Sequence, residues 1–151
     1  MRPDHPHVLS PISFGIVVAV FALWIVPILI SRMTGWSVLA ARFPFSGSAF
    51  QGLTWRFQSA RMRYMGNYNN CLTVGANTEG LYLKCPFFMA GHPALFIPWE
   101  EVSYSEGKVM WQPVIRFQLG REAQIPFAVR STLAEHIREA AGSHWPTKQI
   151  V

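Results

Sequence analysis

Few residues in this chain are of a type that does chemistry, and their spacing decides what chemistry is open to them. His92 lies in a loop after Cys85 and close in sequence to Glu100. A Cys-His nucleophilic pair needs an exposed thiolate beside the imidazole. Cys85 alternates with Leu81 and Leu83, which puts its thiol on the apolar face of a strand. His92 is therefore expected to fix the turn ahead of Pro93, and an enzyme or enzyme subunit with a site near His92 and Cys85 is the alternative. Glu100 and Glu101 are adjacent, so on a strand their carboxylates point to opposite faces and make no acid-base pair. His5 and His7 sit on a proline-rich leader that offers no rigid frame for a metal. The two cysteines have no CxxC spacing, and no HExxH, GxSxG or glycine-rich phosphate loop occurs. No catalytic residue, metal site or cofactor is expected, and Trp99 and Trp111 are expected as core or rim aromatics.

The element that fixes where the rest acts is the uncharged run from Ile12 to Ile30. As a helix it reaches about 28 Å at about 1.5 Å per residue, close to the apolar thickness of a bilayer. It lacks the polar face that the core helix of a small domain carries. Pro27 removes one backbone donor, and a mild kink near Trp24 is expected. Val38-Leu39-Ala40 before Ala41 has the small-residue pattern of a signal cleavage site. It falls well beyond the apolar run, however, so an uncleaved anchor is preferred.

Charge is distributed unevenly. The net charge is +5, from 13 basic and 8 acidic residues, yet no acidic residue lies between Asp4 and Glu79. Arg32, Arg42, Arg56, Arg61 and Arg63 all fall in that interval. Basic residues beside a span are held on the cytoplasmic side, which predicts the amino terminus outside and the carboxy-terminal domain in the cytoplasm, at the plasma (inner) membrane. The same arginines suit an anionic leaflet, at about 1 kcal/mol for each that reaches the surface. Nucleic acid is not an expected partner, because no reader with interleaved basic and exposed aromatic residues is visible.

Residues 1–11 read as a flexible leader, 12–30 as the transmembrane helix, 31–49 as a juxtamembrane helix and linker, and 143–151 as a tail. In the juxtamembrane segment Trp36, Leu39 and Phe43 recur at helical spacing, Thr34 is a cap and Pro44 a stop. Two arrangements fit that spacing. In one, Trp36 sits at the headgroups with Arg42 reaching phosphates; in the other, the three apolar side chains pack on the domain. From residue 50 the period becomes two. Leu53, Trp55 and Phe57 alternate with polar residues, the pattern of a strand with one buried face. Gly66 to Asn70 reads as a turn. A hairpin follows in which Ala76 faces Leu81, Val74 faces Leu83 and Leu72 faces Cys85, leaving Cys71 on the opposite face and the thiols unpaired. Ala94 to Ile97 is a short strand ended by Pro98, at an edge or corner. Further strands run from Val102 to Glu106, Val109 to Trp111, Val114 to Leu119 and Gln124 to Phe127, with turns at Gly107 and Gly120-Arg121. Thr132 with Glu135 forms a capping box for a last helix that buries Leu133, Ile137 and Ala140 or Ala141 and stops at Gly142.

The stretch Glu79-Gly80-Leu81-Tyr82-Leu83, followed by Ile97-Pro98-Trp99-Glu100-Glu101-Val102, resembles bacterial pleckstrin-homology-like (PH-like) and GRAM-like domains. Gly35-Trp36 and Leu39-Ala40 after an anchor resemble small bacterial membrane proteins. The resemblance covers residues 50–142. It implies a mostly β fold with one C-terminal helix, a PH-like barrel or roll of about six or seven antiparallel strands, behind one N-terminal transmembrane helix. Eukaryotic PH domains bind phosphoinositides through basic residues of the first strand pair, the region in which Arg61 and Arg63 fall. The expected function is a membrane-anchored, noncatalytic interaction module whose partners are the lipid bilayer, another membrane protein and anionic headgroups. Arg32, Trp36, Arg42, Arg61 and Arg63 are the candidate membrane or lipid contacts.

Overall fold

The structure is a computed structural model that describes residues 11–63, 66–86 and 89–149. His5 and His7 lie outside the described residues. Helix α1, Pro11–Thr34, takes in the whole apolar run with Pro27 inside it and continues through Arg32. Its side chains are exposed along nearly all its length, and it is long and apolar enough to cross a membrane once. Gly35 then breaks the helix at φ 84, a left-handed conformation that glycine adopts without penalty. A Cβ there would come 2.7 Å from Ile125 Cδ1, so the site demands glycine for space as well. The short helix α2, Trp36–Arg42, follows at once.

The remainder is a curled sheet with one helix laid against it. Its strands are β1 Leu53–Met62, β2 Gly66–Ala76, β3 Gly80–Lys84, β4 Leu95–Pro98, β5 Val102–Val109, β6 Gln112–Leu119, β7 Ile125–Arg130 and β8 Thr147–Lys148. The order across the sheet is β4-β3-β2-β1-β7-β6-β5-β8, antiparallel except where β8 joins β5. Helix α3, Ser131–Ala141, packs on β2, β6 and β7 and closes the concave side. Mostly β with one C-terminal helix, behind a candidate transmembrane helix, is thus the architecture observed. Leu72, Val74, Leu83, Ile97, Phe117 and Phe127 are among the side chains that fill its core.

The β2–β3 hairpin has the register its apolar face requires: Val74 pairs with Leu83 and Ala76 with Leu81. Cys85 is buried, Cys71 half-buried, and both thiols are free. β4 is an edge strand, and the linker shields it: Phe45 N donates to Ala94 O and Phe96 N to Phe43 O. Gly142 ends α3, with Leu133, Ile137 and Ala141 buried beneath it.

Several elements depart from the sequence pattern. Phe57 is exposed because β1 carries register shifts between Trp55 and Ala60 that exchange its faces; beyond them Ala60 and Met62 point inward, and Leu53, ahead of the shifts at the start of the strand, is exposed as well. The irregularity is held by Ser59, whose hydroxyl donates to Asn70 Oδ1 and accepts from Asn70 N. Gly66 to Asn70 belongs to β2, with Tyr68 inside and Asn67 and Asn69 out, and the chain reverses between the paired residues Met62 and Gly66. Gly107 lies within β5, and the reversal into β6 comes at Met110 and Trp111. The N-cap of α3 is Arg130 without a side-chain cap bond, so Thr132 lies inside the helix and the capping box is not formed. The tail contributes β8, anchored by Trp145 against Tyr104 and Phe117.

Candidate functional site

Helix α1 does not hang from a flexible linker; it is built into the sheet. The Ser31 hydroxyl donates to Gly91 O at 2.6 Å, and Gly91 lies so close that a Cβ would come 3.3 Å from Ile28 Cα. Gly91 takes φ 76, so the 89–93 loop reaches the helix backbone through a residue with no side chain. One turn on, Thr34 Oγ1 lies 3.1 Å from the Tyr68 hydroxyl, which lies 3.0 Å from His92 Nε2. His92 Nδ1 is 3.2 Å from Ala90 O. Since a carbonyl only accepts, Nδ1 carries the proton. Tyr68 then donates to Nε2, and the single Thr34 hydroxyl proton lies between the Tyr68 oxygen and Ser31 O, 3.4 Å away.

Trp36 covers this chain. Its ring centroid is 5.7 Å from that of Tyr68 and 5.2 Å from that of His92, and its Nε1 donates to Pro93 O at 2.9 Å. Trp36 is 0% exposed and Leu39 is likewise buried. Trp36 is therefore removed from the candidate lipid contacts, and of the two arrangements weighed from the sequence the packed one is observed. Thr34 caps nothing; it ends α1 and joins the buried polar chain. A cut after Ala40 would strip both Trp36 and Leu39 from the core.

The chemistry open to His92 and Cys85 follows from this packing. His92 is 6% exposed, with Tyr68 and Ala90 facing its two ring nitrogens, and burial lowers its pKa below the ordinary value. Burial raises the Cys85 thiol well above its usual range, as it does the Tyr68 phenol. Cys85 is thus held protonated, the reverse of an activated nucleophile. Among the described residues no group of three or more His, Cys, Asp or Glu side chains converges as a metal site.

The arginines separate into two kinds. Arg42 forms an ion pair with Glu122, so its charge is matched within the fold. Arg32 is exposed on the last turn of α1. Arg63 lies against Gly35, where a Cβ would come 3.1 Å from its Nε, and its backbone N donates to Pro126 O. Arg61 is exposed two residues earlier on β1. Arg61 and Arg63 thus stand where β1 ends beside Gly35, and Arg32 lies on the last turn of the helix that leaves from there.

The opposite end carries Met110, which the sequence pattern did not single out, and Trp111, which it assigned to core or rim. β7 runs from Ile125, beside Gly35, to Arg130, which pairs with Val114, and the β5–β6 reversal lies beyond that pair. Its two central residues are Met110 at φ 46 and Trp111 at φ 72, 87% and 94% exposed. Two positive φ values mark the turn geometry that favours Asn-Gly, and here both places are taken by large apolar residues. Trp111 is neither core nor rim. The only sequence signal was the absence of glycine or asparagine between two strand-like runs. No protein-family model matches this chain, and no curated protein matches it.

Proposed function

We propose that the protein is a membrane-anchored, noncatalytic interaction module with a PH-like domain on the cytoplasmic side. The observation that carries this is the direct build of an exposed apolar helix into a rigid sheet whose two ends differ in chemistry. Arg32, Arg61 and Arg63, at the helix end, face anionic headgroups; Met110 and Trp111, at the far end, face a membrane-protein partner. The cytoplasmic orientation is supported by the arginine excess after the helix. An apolar tip on positive-φ backbone supports contact, because left-handed conformations cost non-glycine residues free energy and persist where the exposed side chains are used.

The experiment is photocrosslinking in cells from a benzophenone side chain at position 111. One discrete membrane-protein adduct is expected, lost on Met110→Ser. No adduct, or the same adduct from position 139 on α3, would sink the partner assignment. The headgroup contact is tested separately on the full chain in lipid nanodiscs. Amide exchange at Arg61 and Arg63 slows when phosphatidylglycerol replaces phosphatidylcholine, and the slowing disappears in high salt because exposed charges are screened.

A further inference from the structure

The convex face of β1, β2 and β3 carries a groove whose floor is cationic and whose walls are aromatic. Thr73 pairs with Lys84, Arg56 follows the Trp55–Val74 pair where the β1 irregularity begins, and all three line one groove. The backbones of Arg56 and Lys84 stand about 10 Å apart, two strand spacings, which leaves room for one small anion above the Thr73 hydroxyl. Both line a groove of about 740 Å³, as do Thr54, Thr73 and Cys71. That volume falls within the range of small-molecule sites, about 300–1,000 Å³. No carboxylate lines it, and among the described residues neither Arg56 nor Lys84 is in an ion pair.

The walls are made on purpose by two departures from regular structure. On one side the 45–50 linker folds back over the sheet; Phe50 stacks on Tyr82 at 4.6 Å with ring planes 7° apart, and Phe45 meets the same ring edge-on at 5.0 Å. On the other side the irregularity in β1 turns Phe57 outward at φ 57 and leaves it 76% exposed at the rim. A bulge that re-aims a side chain is a recurrent feature beside binding sites. The groove ends at Pro86 and Ala94, next to the 89–93 loop that touches α1 at Ile28.

We propose that this groove binds an anionic amphiphile: one carboxylate or phosphate between Arg56 and Lys84, with its apolar chain against Phe45, Phe50 and Phe57. Complementarity of charge and of apolar surface selects this class, and Ala94 in the lining adjoins the 89–93 loop that touches α1. Neither cation belongs to the proposed headgroup contact, so the two assignments stand or fall separately.

Cys71 in the groove supplies the readout. The full chain in phosphatidylcholine nanodiscs is alkylated with N-ethylmaleimide, and Cys71 modification is followed by mass spectrometry with no addition or with dodecyl phosphate, dodecanoate, dodecanol or inorganic phosphate. Dodecyl phosphate and dodecanoate are expected to slow alkylation at least threefold, and Arg56→Gln with Lys84→Gln to abolish the protection, read as the ratio of rates with and without the addition in each protein. If only one of the two slows it, that headgroup is the ligand's. Equal protection by dodecanol, or protection that survives the double substitution, would overturn the charge-specific site. Protection by inorganic phosphate alone to the same extent would overturn the amphiphile, and no protection by any addition would overturn the site itself.

Discussion

Trp36 and Trp111 are the same residue type at opposite ends of one sheet, and their surroundings could hardly differ more. Trp36 is enclosed by Tyr68 and His92, with its indole N-H bonded to Pro93 O. Trp111 stands in solvent on a backbone at φ 72. At the helix end the positive-φ residues that touch α1 or end it are Gly91 and Gly35, with Arg63 at φ 49 beside them, and buried polar atoms are satisfied in a chain. At the far end a costly conformation is filled by residues ill suited to it, and the large side chains contact nothing that repays the cost. The helix end is packed and satisfied, and the tip is the surface proposed for contact.

Substitutions should break this contrast in order. Trp36→Ala is expected to cost about 3–5 kcal/mol, the range for emptying a buried aromatic site. The measurement is chemical unfolding of the full chain in a neutral detergent; a cost no greater than that of Trp111→Ala would erase the distinction between the ends. Tyr68→Phe removes the central hydroxyl of the buried chain and leaves His92 Nε2 without its partner, while Thr34 keeps Ser31 O, for about 1–3 kcal/mol. Replacing the tip by its preferred sequence, Met110→Asn with Trp111→Gly, should stabilise the fold by about 1–2 kcal/mol through relief of strain, while partner crosslinking is lost. A destabilised double variant would mean that the tip packs on something. Arg42→Ala, which removes an exposed ion pair, should change stability by about 0–1 kcal/mol.

The buried chain also gives the helix end a pH response. Burial lowers the His92 pKa below its ordinary value of 6.5. The unfolded chain therefore binds a proton that the fold resists. The stabilising contribution of neutral His92 is fully present above about pH 6.5 and declines as pH falls below it. His92→Gln keeps polar groups at the position without the titration, and is expected to flatten the dependence of unfolding on pH between neutrality and mild acid. An unchanged slope would assign the response to another group.

What the sequence revealed depended on whether local pattern and tertiary packing agree. The β2–β3 hairpin was legible because Val74, Ala76, Leu81 and Leu83 form an apolar face in one register alone. β1 was misread beyond Trp55 because its alternation runs unbroken through Phe57, whereas the faces exchange at an irregularity held by Ser59 and Asn70, which are distant in sequence. The helical spacing of Trp36, Leu39 and Phe43 is identical whether the helix lies on lipid or on protein, so its partner was not encoded locally. The β5–β6 reversal was hidden because Gly107 is the better turn former, yet it sits inside the strand against the Arg116 side chain. Of the candidate contacts, Arg32 lies on the last turn of α1 and Arg61 and Arg63 at the end of β1, while Arg42 is matched by a glutamate 80 positions away. Arg56, Thr73 and Lys84 come to line one groove only once the three strands are assembled.

The central claim, a module tethered with its arginine-rich end against the cytoplasmic leaflet, is tested most directly by topology. A reporter active only in the cytoplasm and one active only outside are fused in parallel to Val151. The account predicts activity from the cytoplasmic reporter alone. Activity from the external reporter alone would contradict it, leaving Arg32, Arg61 and Arg63 facing the outer leaflet and placing the Trp111 tip outside the cell.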